Sequence, residues 1–168
     1  MIPLIKLFLD ICLLRRGPQD VPASSVLFAL VLLASLTIDV TSIISQTAFA
    51  DAMLVVFANT ATNIAVIYVL LRVLGHVSRF QQTLIALLGT GLILSCMLLP
   101  MLAVNIYFES DSSIFKFFLL GFHFWSLIII THILRHALEI NIFPASVLAI
   151  GYVMLSFSVV NLLLPQAG

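Results

Sequence analysis

Apolar positions run along this chain in long, nearly unbroken blocks, and the polar residues collect between them. Five blocks stand out, at roughly residues 24–46, 52–74, 82–104, 114–134 and 143–164. A helix rises about 1.5 Å per residue, so ~20 apolar residues cross the ~30 Å of bilayer hydrocarbon. Backbone amides find no water in that layer and must bond within their own segment, so each block is predicted as a helix. The pattern predicts an all-α fold, a polytopic membrane helix bundle with five transmembrane helices.

Residues 2–14 are apolar too, but too few to cross. Lys6 and Asp10 stand four apart, on one helical side where they can pair, and Arg15 and Arg16 follow. This arrangement predicts an N-terminal interfacial amphipathic helix on the cytoplasmic leaflet, with the two arginines reaching the headgroups. Pro18 and Pro22 hold their preceding residues extended and break that helix. Ser24 or Ser25 then caps the first span. The chain divides into residues 1–23, a cytoplasmic interfacial helix with a Pro-containing linker, and residues 24–168, the five-helix transmembrane domain. The connection at 47–51 is barely a turn, which predicts an antiparallel hairpin of the first two spans. Residues 105–113 form the longest outer loop. Ala48-Phe49-Ala50 looks like a signal-peptidase site, but the apolar run before it exceeds a signal h-region and contains Asp39, so the segment reads as a retained span.

Composition agrees with a membrane solvent. Sixty-two per cent of the 168 residues are apolar and 8% charged, and the mean hydropathy is +1.26; an ordinary globular chain is roughly half apolar and a quarter charged. The net charge of zero conceals a lopsided distribution. Lys6, Arg15, Arg16, Arg72, Arg79 and Arg135 fall at one membrane face, whereas Lys116 falls at the other. The positive-inside rule makes the first face cytoplasmic, with the N-terminus inside and the C-terminus outside. Asp51, Glu109 and Asp111 lie on the outer face. Basic runs that would neutralise nucleic-acid phosphates are absent, so no nucleic acid is expected as a partner.

Any chemistry must reside in polar residues inside the spans, where they are costly and face protein or a water-filled cavity. Asp39 is the one carboxylate well inside a span. Asn59 and Asn63, four apart on the second span, run from similar depth to the midplane, and Asn59 can meet Asp39 across the hairpin. His123 lies near the middle of the fourth span. Asp39, Asn59, Asn63 and His123 are thus a candidate buried polar cluster, able either to bind an ion or relay protons or to act as hydrogen-bonding glue between helices. Arg15, Arg16, Arg72 and Arg79 are candidate contacts for lipid headgroups. His132 and His136 are one turn apart, with His76 a conceivable third ligand, but interfacial histidines are the plainer reading and no metal site is assigned. Cys12 and Cys96 lie in apolar surroundings and read as bystander thiols. Gly89-Thr90-Gly91, near the centre of the third span, would let a neighbour approach closely. Pro100 releases backbone groups farther along the same helix. No phosphate loop, nucleophile elbow or haem-attachment motif is present, so no catalytic residue is assigned and no cofactor is expected.

An inside N-terminus, five closely spaced spans and an outside C-terminus resemble the Yip family of five-span membrane proteins, named for interaction with Ypt/Rab GTPases. The short inner connection Gly75-His76-Val77-Ser78-Arg79-Phe80-Gln81-Gln82-Thr83-Leu84, leading into a span that ends near Leu99-Pro100, adds to the likeness. The resemblance covers most of residues 20–165. Eukaryotic members are linked to vesicle trafficking and carry a sizeable cytoplasmic N-terminal region. With its short N-terminal segment, the chain is more similar to the compact bacterial members. The family supplies no catalytic residue. The expectation is a non-enzymatic protein of a bacterial inner membrane, a scaffold or accessory subunit whose partners are the lipid bilayer and other membrane proteins or further copies of itself. A small transporter or ion-conducting subunit using the polar cluster is the alternative, and lipid interaction through the arginines a third.

Overall fold

The computed structural model describes residues 2–44, 47–107 and 113–164. Its helices are α1 (Ile2–Cys12), α2 (Ser25–Ile43), α3 (Phe49–Val73), α4 (Phe80–Tyr107), α5 (Ser113–Leu138) and α6 (Ile142–Leu163), and no strand occurs among the described residues. Five helices are long and apolar enough to cross a membrane. The chain is an all-α helical bundle built for lipid. Glu109 and Asp111 lie outside the described residues.

Helix boundaries follow local chemistry. Ser24 caps α2, its hydroxyl oxygen accepting from the Leu27 amide at 3.3 Å, so one orphan donor of the first turn is satisfied. Three helices end alike, with a residue in the left-handed region closing the last turn: Leu14 (φ 62°), Gly75 (φ 79°) and Glu139 (φ 54°). After each, the next amide reaches back to a carbonyl five residues earlier: Arg15 to Asp10 at 2.8 Å, His76 to Leu71 at 2.7 Å, Ile140 to Arg135 at 3.3 Å. Glycine takes this conformation without strain only at position 75; leucine and glutamate pay for it. Because α5 runs on to Leu138, Arg135 and His136 belong to its last turn rather than to a connection.

The spans form a closed ring in which α2 packs most extensively on α4, α5 on α6, and α6 back on α3. α4 is the hub, touching α1, α2, α3 and α5. Its Ile85 and Ala86 are fully buried, Thr90 turns its hydroxyl onto the Ala86 carbonyl, and Thr83 donates to the Arg79 carbonyl just before the helix, each at 2.8 Å. A second apolar cluster of Ile67, Leu71, Leu84, Leu134, Leu138 and Ala149 joins α3, α4, α5 and α6.

α1 is docked on this ring. Leu7, Phe8, Ile11 and Cys12 form a buried face against Ile85, Ala86, Ile129 and Ile133 of α4 and α5, whereas Ile5, Leu9 and Leu13 on its other side are exposed. The Phe8 ring lies against Gly89, midway along the Val77–Pro100 span, where a Cβ would overlap it. Gly89 therefore admits a side chain rather than a neighbouring backbone. Asp10 pairs with Arg16 at 3.7 Å instead of with Lys6, because the chain reverses after Leu14 and brings the guanidinium back over the helix.

Candidate functional site

Asp39 occupies α2 one turn after Ser35 and three residues before Ser42, so all three project from one side of that helix. It faces two cavities. One, of about 180 Å³, lies among α2, α3 and α6 and is lined by Asp39, Ser42, Ile43, Val55, Val56, Asn59 and Val160. The other, of about 110 Å³, lies against α4 and includes Ser35, Asp39, Gly91 and Ser95. No Lys, Arg or His lines either one. Open space around Gly91, where an added Cβ would meet nothing within 4 Å, helps leave the second cavity unfilled.

Asp39 and Asn59, expected to meet across the hairpin, both border the larger cavity. Asn59 Oδ1 is buried and has no hydrogen-bond partner among the described residues. Asn63, one turn further along α3, instead ties α3 to α6 by accepting from the Ser156 hydroxyl at 2.6 Å. His123 lies apart from all of them. It is exposed on α5, and its Nδ1 is 2.7 Å from the Leu119 carbonyl one turn earlier, so the ring is satisfied locally. The rotation of α5 is set by its packing on α4 and α6, which turns His123 outward. Ser35, Ser42 and Ser95 were not singled out in the sequence; the spacing of Ser35 and Ser42 from Asp39, one helical turn each way, was the signal for two of them.

At the bundle end that carries most of the arginines, the side chains mainly hold the protein together. Arg79, just before α4, donates to the His136 carbonyl at 3.1 Å and pairs with Glu139 after α5. Arg72 donates to the Tyr68 hydroxyl at 3.2 Å, and Arg16 pairs with Asp10. Arg15 is exposed. Arg79, Arg135, His136, Glu139 and Gln19 surround a surface depression of about 350 Å³. His132 and His136 stack edge to face with centroids 4.5 Å apart, and His132 Nε2 sits 2.9 Å from the Arg16 carbonyl. No third ligand joins them: among the described residues no group of three or more His, Cys, Asp or Glu side chains could hold a metal ion.

Both cysteines are free thiols. Cys12 is buried in the α1 dock, and burial pushes its thiol up to about 11.

No protein-family model, curated protein or solved structure matches this chain. What the protein can do must be argued from its own residues.

Proposed function

We propose that the chain is a non-enzymatic scaffold or accessory subunit of a membrane complex, seated in a bacterial inner membrane with its N-terminus cytoplasmic and its C-terminus outside. In this reading it is a compact relative of the Yip-type five-span proteins. The observation that carries the proposal is α6. Only 6% of its membrane window is buried inside the bundle. Ala145 and Ala149 are buried, while Phe143, Val147, Met154, Phe157 and Leu162 project outward as one broad apolar surface. Helices associate in lipid through packing and interhelical hydrogen bonds rather than through exclusion of water. Although α6 packs along α5 and α3, it does so on a narrow stripe of small residues, so most of its circumference is left for lipid or another helix. The short link between α5 and α6, residues 139–141, leaves little aqueous surface there for recognition. The orientation is supported by the gathering of Arg16, Arg72, Arg79 and Arg135 at one end and Asp51 at the other.

A photoreactive residue placed at Met154 or Phe157 in native membranes tests this. A protein adduct of defined mass is expected there, and none from the buried Ala149 position. Lipid adducts alone at the outward positions would refute the scaffold reading. Reporter tags at the two termini should score in opposite compartments.

A further inference from the structure

From the Asp39 cavity we infer a second property, independent of any protein partner: the space among α2, α3 and α6 is a binding site for one alkali cation, held by the Asp39 carboxylate, the Asn59 side-chain oxygen and the Ser42 hydroxyl.

The argument begins with charge. An ionised carboxylate within a membrane span is poorly hydrated and is stabilised either by a positive partner or by taking up a proton. Buried carboxylates usually find one in Lys, Arg or His, yet none of these lines either cavity beside Asp39. From α6 comes Val160, which carries no charge. From α3 comes Asn59 and from α4 comes Ser95, both uncharged. The neutralising charge must therefore come from solution, as a cation or a proton.

The second step concerns the acceptors. Asn59 Oδ1 is buried without a donor, at the cavity that also contains the carboxylate. Two hydrogen-bond acceptors facing one space is an arrangement that wants a positive centre between them. Ser42 contributes in the same sense. Its hydroxyl proton is directed to the Ile38 carbonyl at 2.8 Å, which leaves the oxygen lone pairs for another partner. Carboxylate, amide and hydroxyl oxygens are hard ligands, suited to hard cations. One negative charge matches one positive charge, whereas a divalent ion would leave the site with excess charge in hydrocarbon. A volume of about 180 Å³ accommodates an ion with waters completing its shell. A proton alone would neutralise Asp39 but would not require a space of this size.

The test uses the purified full-length protein in detergent, comparing thermal unfolding in NaCl, KCl and choline chloride at equal ionic strength. An ion that binds only the folded state raises its stability in proportion to the logarithm of concentration over Kd. NaCl or KCl is expected to raise the midpoint above that in choline chloride, and Asp39→Asn or Asn59→Leu to abolish the difference. Equal midpoints in all three salts, or a cation effect that survives both substitutions, would overturn the site. So would stabilisation that responds to pH alone, which would make Asp39 a proton-holding group. Should the variants fail to fold, equilibrium dialysis of the unaltered protein with radioactive Na⁺ decides. One displaceable ion per chain is expected; none overturns the proposal.

Discussion

Single residues in this bundle are fixed by what surrounds them more than by their chemical type. Asn59 and Asn63 are the same residue type on one helix, yet Asn63 ties α3 to Ser156 and Asn59 presents an unpartnered oxygen to a cavity. Cys12 offers a direct test of burial. Its thiol is raised from the usual value of about 9 to about 11 by loss of solvent. Below pH ~9 the thiol is protonated in both the folded and unfolded chain, and its contribution to stability is complete. Between about pH 9 and 11 the unfolded chain ionises first, so stability falls as pH rises. The thermal midpoint of the unaltered protein should therefore drop more steeply from pH 8 to pH 10.5 than that of Cys12→Ala. Parallel curves would show that the thiol is not desolvated. Residue-level reading of the sequence located Asp39 and Asn59 as neighbours because a short turn forces the first two spans to lie side by side. It could not orient His123, because nothing in the apolar run around it specifies which way α5 is rotated.

At the scale of elements, the five spans were legible because lipid leaves helices as the only solution for long apolar segments. The position of α1 was not. Apolar residues occur on both of its sides, so periodicity alone could not distinguish the face of Leu7, Phe8, Ile11 and Cys12 from that of Ile5, Leu9 and Leu13. What decides the matter is Gly89 on α4, far away in sequence, whose missing side chain makes room for Phe8. Gly89→Ala should therefore push the Phe8 ring out of its seat and cost about 1–3 kcal/mol, as overpacking does elsewhere. A spin label at the exposed Leu13 should gain mobility in that variant. Gly91→Ala, two positions on, meets nothing within 4 Å and should be neutral or slightly stabilising. Equal effects of the two substitutions would argue against the dock.

For the whole molecule, the arginine-rich end acts as a clasp. Arg79 links the start of α4 to the end of α5 through both Glu139 and the His136 carbonyl. An exposed ion pair is worth at most about 1 kcal/mol, so Glu139→Gln should be mild and its effect should fade in high salt. Arg79→Ala also strips a donor from a last-turn carbonyl of α5. Its cost should be larger, about 1–2 kcal/mol, and less dependent on salt. Thermal unfolding of both variants at low and high NaCl separates the two contributions. Charge counting along the chain marked this end correctly as the one carrying most of the basic residues. It could not reveal that Arg16, Arg72 and Arg79 are engaged with protein groups, because their acceptors, Asp10, Tyr68, Glu139 and the His136 carbonyl, are brought to them by turns and helix ends.

The seat that Phe8 occupies on α4 and α5 also dictates an order of manufacture. A ribosome makes Ile2–Cys12 before the surface that receives it, which does not exist until α5 has been synthesised. That segment must wait, unaccompanied, while four later helices are threaded into the bilayer, and only then can it lock down.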